Sequence, residues 1–65
     1  MNWDQIDGYW KQFEGKVQHE WGKLTNDDLQ QVKGDQKVLA GKIQERYGLT
    51  KEEAERQVNA WHSKL

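Results

Sequence analysis

The chain has 65 residues, of which ten are basic and eleven are acidic, so its formal net charge is −1. A chain of this length forms a single domain with a small core and a narrow margin of stability. The absence of cysteine excludes a disulfide framework, a thiolate zinc site and a thiol nucleophile, and it favours a reducing cytoplasm. A net charge near zero leaves no global field to gather nucleic acid or anionic lipid.

Two features of the composition point in opposite directions. Only 34% of the residues are hydrophobic and the mean hydropathy is −1.22, which is typical of chains close to the disordered class. Four tryptophans, two tyrosines and one phenylalanine favour a folded core instead. Residues 1–5 lack the basic start and apolar run of a signal peptide, and no segment has the length of a membrane span. We therefore expect a cytoplasmic protein without a transmembrane helix.

The first predicted helix begins at Trp3 or Asp7 and ends at Trp21. At about 100° per residue, its large apolar side chains fall on one stripe: Trp3, Ile6, Trp10, Phe13, Val17 and Trp21. Gly22 then suits the left-handed position just past a helix end, where glycine has no steric penalty. Because the polar face of this helix mixes acidic with basic residues, we interpret the stripe as core and not as a membrane-surface helix.

The second predicted helix covers residues 26–33. Thr25 is its predicted N-cap and Asp28 the capping-box partner, while Leu24 and Leu29 have the spacing of a hydrophobic staple. The acidic run at 26–28 is therefore interpreted as a first helical turn, favoured by the helix dipole.

The last two predicted helices cover residues 35–47 and 51–63. Gly48 suits the left-handed end of the former, and Thr50, with Glu53 three residues later, is the predicted N-cap of the latter. The expected apolar stripes contain Leu39, Ile43 and Tyr47 in one helix and Ala54, Val58, Trp61 and Leu65 in the other.

An internal repeat relates the two halves of the chain. GYWKQFEGKVQHEWG at 8–22 aligns with GDQKVLAGKIQERYG at 34–48, with three glycines, two lysines and one glutamine identical. The similarity extends over residues 8–29 and 34–54. It predicts two pseudo-repeated helical hairpins within one domain, residues 1–65, and an all-α fold consisting of a compact bundle of four or five short helices.

Two glycines of this repeat, Gly15 and Gly41, occupy helix interiors, where each costs about 1 kcal/mol relative to alanine. Both lie on the side opposite the apolar stripe. They are either tolerated surface glycines or part of a bare backbone strip that admits a second helix or a partner. The former interpretation is preferred.

No catalytic, cofactor-binding or metal-ligating residue is predicted. Nucleophilic catalysis needs a nucleophile with a base beside it, but Ser63 is near the chain end and its neighbour His62 points about 100° away on a helix. His19 lies on a polar face and is interpreted as a solvated residue. The acidic pairs belong to first helical turns, and neither a calcium-loop pattern nor a phosphate-binding glycine motif is present.

Nucleic-acid binding is a weaker alternative. The lysines that repeat with the duplication or lie near the turns could form a basic face, but acidic residues next to them reduce its positive charge. The lysines concerned are Lys11, Lys16, Lys23, Lys37, Lys42 and Lys51.

The motifs WKQFEGKV at 10–17, WGKLTNDD at 21–28 and GKIQERYG at 41–48 resemble the CsbD-like family of small bacterial proteins. This resemblance covers nearly the whole chain. It implies a cytoplasmic stress-response protein with no established biochemical activity, and a SAM-domain-like arrangement of two crossed hairpins. The leading hypothesis is a non-enzymatic protein acting on an unknown protein partner or by self-association. The alternatives are a hydrophilin-like protectant that folds conditionally and, less favoured, a nucleic-acid module.

Overall fold

The structure, a computed structural model, describes residues 2–65. The predicted domain begins at Met1, which lies outside the described residues. Five helices are present, and no strand occurs among residues 2–65. In chain order the helices are α1 (Trp3–Gly8), α2 (Trp10–Glu20), α3 (Asn26–Val32), α4 (Gln36–Tyr47) and α5 (Lys51–Ser63). The prediction of an all-α bundle of four or five short helices is therefore confirmed.

The first predicted helix is divided at Tyr9. This residue departs from helical geometry, with φ −117° and ψ 32°, and its side chain is 58% exposed. Asn2 caps α1 in a capping box with Gln5, so the short helix has its own N-terminal signal. The division turns α1 so that Ile6 is fully buried. A continuous helix from Trp3 to Trp21 was therefore wrong, and the alternative start at Asp7 lies closer to the observed start of α2 at Trp10. The docking of α1 on the core overrides the uninterrupted 3.6-residue period.

The end of α2 also differs from the prediction. Gly22 does not have a positive φ; within residues 2–65, only Gly34, Gly48 and Lys33 have one. The chain instead leaves α2 at Trp21, with φ −125° and ψ 82°, and the Leu24 N–H donates to the Trp21 carbonyl. At this exit Trp21 is buried, and its indole N–H donates to the Gln57 side chain of α5.

The turn between α3 and α4 brings two left-handed residues together. Lys33 has φ 49° and Gly34 has φ 82°. Gly34 is buried, and a Cβ atom added there would lie 2.5 Å from the Cα atom of Asp7. Glycine is therefore required both by the backbone conformation and by the close approach of α1. Asp35 then caps α4 by accepting hydrogen bonds from the Lys37 and Val38 amides.

The last hairpin follows the prediction more closely. Gly48 is left-handed, with φ 64°, and the Thr50 hydroxyl accepts a hydrogen bond from the Glu53 amide. Glu53 does not complete a capping box, because its carboxylate accepts hydrogen bonds from Arg56 and Gln57 instead. The helix ends at Ser63, so Leu65 lies beyond it and is 37% exposed. The expectation that Leu65 extends the buried stripe was wrong.

One hydrophobic core joins all five helices. Among residues 2–65 it contains fourteen buried side chains. Apart from Leu65, all members of the predicted stripes are among them except Trp3 and Tyr47, which are partly buried against the core. The buried residues are Ile6, Trp10, Phe13, Val17, Trp21, Leu24, Leu29, Val32, Leu39, Ala40, Ile43, Ala54, Val58 and Trp61. The interpretation of the aromatic stripe as core is confirmed. The internal repeat, the extent of the domain and the SAM-domain-like arrangement stay predictions.

The two threonine caps support a first testable prediction. Thr25→Ala and Thr50→Ala should each lower the free energy of unfolding by about 1 kcal/mol, because each removes the side-chain acceptor of an N3 amide. Denaturant titration followed by circular dichroism measures both. Asn26→Ala, outside the cap position, is the control. Two neutral threonine substitutions would contradict the assignment of these residues as helix caps.

Candidate functional site

A cluster of aromatic side chains surrounds Trp61 at the centre of the core. The Trp61 ring centroid lies 6.1 Å from that of Trp3 and 5.8 Å from that of Trp21. Phe13 meets Trp61 edge-on at 6.5 Å. Tilted and edge-on contacts of this kind are the favoured geometries of aromatic pairs. The Trp61 cluster, defined by these four residues, therefore joins α1, α2 and α5.

The indole N–H groups of two tryptophans have partners inside the protein. Trp10 donates to the Leu29 carbonyl at 2.8 Å, and Trp21 donates to the Gln57 side chain at 3.0 Å. A buried indole that makes such a bond packs without leaving an unsatisfied donor. These two tryptophans thus have structural roles, whereas Trp3 at the edge of the Trp61 cluster is only partly buried.

The two histidines occupy different environments. His19 is exposed on α2, as predicted. His62 is partly buried and stacks on Trp3, with ring centroids 5.2 Å apart and ring planes 13° apart. Its Nε2 atom is buried and has no hydrogen-bond partner among residues 2–65. The Ser63 hydroxyl donates to the Asn59 carbonyl, so the structure does not bring Ser63 and His62 together as a pair.

Asp28 is the principal feature that sequence reasoning missed. Its carboxylate is only 2% exposed and accepts bonds from Arg46 Nε at 2.8 Å and Arg46 Nη2 at 3.1 Å. The same carboxylate accepts from the Thr25 amide at 3.0 Å, which completes the predicted capping box, and lies 3.8 Å from Lys42 Nζ. Hydrogen bonding to Arg46, reinforced by the Thr25 amide, lowers the pKa of Asp28 well below its usual range. This ionic group ties the start of α3 to α4.

Replacing Asp28 by asparagine should destabilise the fold by about 2 kcal/mol at pH 7, because a buried carboxylate loses its charge-assisted bidentate bonds to the partly exposed Arg46. Asp27→Asn, in the same helical turn but exposed, should change stability by less than about 1 kcal/mol. Urea denaturation of both variants measures the difference. Equal effects would show that Asp28 contributes only through the helix dipole.

The stability contributed by Asp28 should also depend on pH. Since the folded-state pKa of Asp28 lies below the unfolded value of about 3.9, the contribution is complete above pH 4 to 5 and is lost as the pH falls towards the folded-state pKa. The difference in unfolding free energy between wild type and Asp28→Asn should therefore shrink as the pH is lowered from about 5 to about 2. A difference that stays constant over this interval would contradict the assigned pKa direction.

Most lysines that raised the nucleic-acid alternative have partners within the chain. Lys42 approaches Asp28, and Lys51 lies 4.0 Å from Glu55. The ammonium groups of Lys16 and Lys23 lie over the rings of Phe13 and Tyr47, at 5.3 and 5.0 Å. Four of the six lysines are thus engaged, and the six do not form one unpartnered basic face.

The mid-helix glycines face open space. A Cβ atom added at Gly15 or Gly41 would meet nothing within 4 Å. The predicted position of these glycines on the side away from the core is confirmed. Gly15 borders a shallow groove with Trp61 and Leu65, and Gly41 borders another between α4 and α5.

Alanine at either position should raise the free energy of unfolding by up to about 1 kcal/mol, because alanine has the higher helix propensity and reduces the entropy of the unfolded chain. Denaturant titration of Gly15→Ala and Gly41→Ala measures this gain. Gly22→Ala is the control, because Gly22 also faces open space but lies in the loop after α2, where helix propensity does not contribute. Destabilisation by both mid-helix substitutions would mean that the two surfaces are packed.

Another surface cleft lies where α1 meets the α3–α4 turn. We call it the α1 cleft and define it by six of its lining residues: Trp3, Asp4, Asp7, Lys33, Asp35 and Val38. Three carboxylates border it, against one ammonium group. None of these carboxylates takes part in an ion pair among residues 2–65. The cleft combines apolar surface with an acidic border, and the close approach of Gly34 to Asp7 fixes its two sides.

Within residues 2–65, no three His, Cys, Asp or Glu side chains converge as metal ligands. In the same part of the chain, none of the helices is both long and apolar enough to cross a membrane.

Four helices with side-chain N-caps, a fifth without one, and a shared aromatic core define a small all-α domain, and comparison with known proteins supplies its family. A family model described as CsbD-like matches residues 4–56. The chain therefore belongs to the CsbD-like family, as the motifs at 10–17, 21–28 and 41–48 predicted.

Full-length relatives come from several bacteria. The chain is 52% identical to UPF0337 protein YjbJ of Escherichia coli K12 over 98% of its own length and 93% of that protein. It is 56% identical to UPF0337 protein ECA0631 of Pectobacterium atrosepticum over 94% of its length and 88% of that protein. It is 51% identical to UPF0337 protein PA4738 of Pseudomonas aeruginosa over the whole of both chains.

Proposed function

We propose that this CsbD-like protein is a non-enzymatic, cytoplasmic stress-response protein that acts in its folded state, by binding a protein partner or a second copy of itself. The observation that carries this proposal is the specific core. Among residues 2–65, fourteen buried hydrophobic side chains and the pairing of the buried Asp28 carboxylate with Arg46 specify one arrangement of five helices. A chain selected only to remain hydrophilic has no need of such a core.

The hydrophilin-like alternative makes a different demand on the sequence. A protectant that works through composition needs glycine, charge and low hydropathy, whatever their order along the chain. Capped helices and paired indole N–H groups depend on the order of residues, and they favour a folded, binding protein.

The nucleic-acid alternative has less support. Of the lysines that suggested it, four contact carboxylates or aromatic rings of the same chain. A gel shift at two salt concentrations tests it, since contacts to phosphate weaken steeply as salt rises.

The decisive experiment compares the protein with a shuffled chain of identical composition. Both are expressed in an Escherichia coli strain that lacks the 52% identical relative YjbJ, and survival is measured after stationary phase, drying and osmotic shock. The native chain should restore survival and the shuffled chain should not. Circular dichroism of the purified proteins should give a cooperative melt for the native chain only.

Equal protection by both chains would overturn the proposal and favour the composition-based protectant. A coil-like spectrum of the native protein under cytoplasmic conditions would do the same. A stably folded surface variant that loses activity would identify the binding face directly.

A further inference from the structure

We infer that the α1 cleft is a docking surface for a basic segment of a partner protein, in which a cationic side chain is flanked by aliphatic ones. The inference rests on the proposed function and names the chemistry of the partner. Two properties of the cleft support it: its charge and its apolar surface. A third observation concerns the rest of the chain, where most basic side chains already have internal partners.

The charge of the cleft attracts a cation. Asp4, Asp7 and Asp35 are exposed, and no lysine or arginine among residues 2–65 pairs with them. One oxygen of Asp35 also caps α4, so Asp4 and Asp7 are the less engaged carboxylates of the cleft. The same three carboxylates do not converge as metal ligands. Since they border the cleft separately, they suit charges spread along a segment better than a single metal ion.

The apolar part of the cleft fits the rest of such a segment. Val38 is 37% exposed, one of only three large hydrophobic residues exposed to this degree among residues 2–65. Trp3 is partly buried, and its ring stacks on His62, which does not line the cleft. An indole beside carboxylates attracts a guanidinium or ammonium group both by charge and through the ring quadrupole. Aromatic and aliphatic anchors with a charged border are typical of protein-binding surfaces.

A different protein fits the cleft better than a second copy of this chain does. Of the ten basic residues, five form ion pairs within the chain and two more lie over aromatic rings. The remaining three are Lys11, Lys33 and Lys37, and Lys33 itself lines the cleft. A second copy thus has few unengaged cations to offer without breaking internal contacts.

The test uses a capped hexapeptide of alternating arginine and leucine, with a glutamate–leucine hexapeptide as the control for charge sign. Each is titrated into ¹⁵N-labelled protein. The basic peptide should shift the Trp3 indole signal and the amide signals of Gly34 and Val38. The indole signals of Trp10 and Trp21 should not move, because both N–H groups have internal acceptors. Binding should weaken as salt is raised.

Two double variants with the same change in net charge distinguish binding at the α1 cleft from nonspecific electrostatic attraction. Asp4→Asn with Asp7→Asn should weaken binding about fivefold at low salt, as expected for the loss of two exposed charge contacts. Glu45→Gln with Glu52→Gln makes the same change in net charge on exposed parts of α4 and α5, and should leave binding within about twofold. Val38→Ser, which alters no charge, should also weaken binding. Melting curves establish that each variant is folded.

Several outcomes would overturn the inference. These are an absence of saturable binding, equal loss in both double variants, comparable binding of the acidic peptide, or signal shifts confined to other surfaces. Failure here leaves the comparison with the shuffled chain unaffected, so the proposed function can survive without this partner chemistry.

Discussion

Replacing Trp61 by alanine should cost about 3–5 kcal/mol of unfolding free energy, most of the stability that a domain of this size has. The physical reason is its central position. Its ring contacts Trp3, Phe13 and Trp21 from two other helices, and only 5% of the residue is exposed. Truncation removes these contacts and leaves a cavity that a 65-residue core is too small to absorb by relaxation.

Circular dichroism and urea denaturation measure the loss. Trp61→Phe retains an aromatic ring in the same place and should cost clearly less. Tyr9→Ala removes an aromatic side chain that is 58% exposed, and it should change the free energy of unfolding by no more than about 0.5 kcal/mol. If Trp61→Ala unfolds at the same denaturant concentration as Tyr9→Ala, the Trp61 cluster does not organise the core.

Gly34→Ala is the second substitution with a large expected effect, about 3 kcal/mol of destabilisation. Two costs combine: alanine is disfavoured at φ 82°, and its Cβ atom would lie 2.5 Å from the Asp7 Cα atom. The clash is with backbone and not with the end of a flexible side chain. Either α1 must move away or the α3–α4 turn must deform.

Gly48→Ala provides the matched control. Gly48 also has a positive φ, 64°, but a Cβ atom there would meet nothing within 4 Å. Gly48→Ala should therefore lower the free energy of unfolding only by the cost of placing alanine at a positive φ, about 1–2 kcal/mol. Hydrogen exchange of the α1 amides gives a second measurement, because faster exchange in Gly34→Ala alone would locate the disruption at α1. Equal losses of stability in the two variants would contradict the close approach of α1 to the turn.

The candidate surfaces differ in how far sequence could predict them. The exposure of Gly15 and Gly41 follows from helical period alone, because both glycines lie opposite a stripe of large apolar side chains. The α1 cleft has no such local signal. It joins residues 3–7 to residues 33–38, and these meet only because α1 departs from the line of α2 at Tyr9.

The sequence by itself determined the family, the helical class, the capping threonines and nearly all of the core. These features depend on short-range physics: the 3.6-residue period selects the buried side chains, and a threonine hydroxyl reaches an amide three residues away. Only the tertiary structure decided the division at Tyr9, the exit of the chain at Trp21, the exposure of Leu65 and the pairing of Asp28 with Arg46. Leu65 is exposed because α5 ends at Ser63, whereas the other three features depend on where one part of the chain packs against another. Asp28 and Arg46 are eighteen residues apart, and no local pattern indicates that the capping carboxylate of α3 will also bind a guanidinium group of α4.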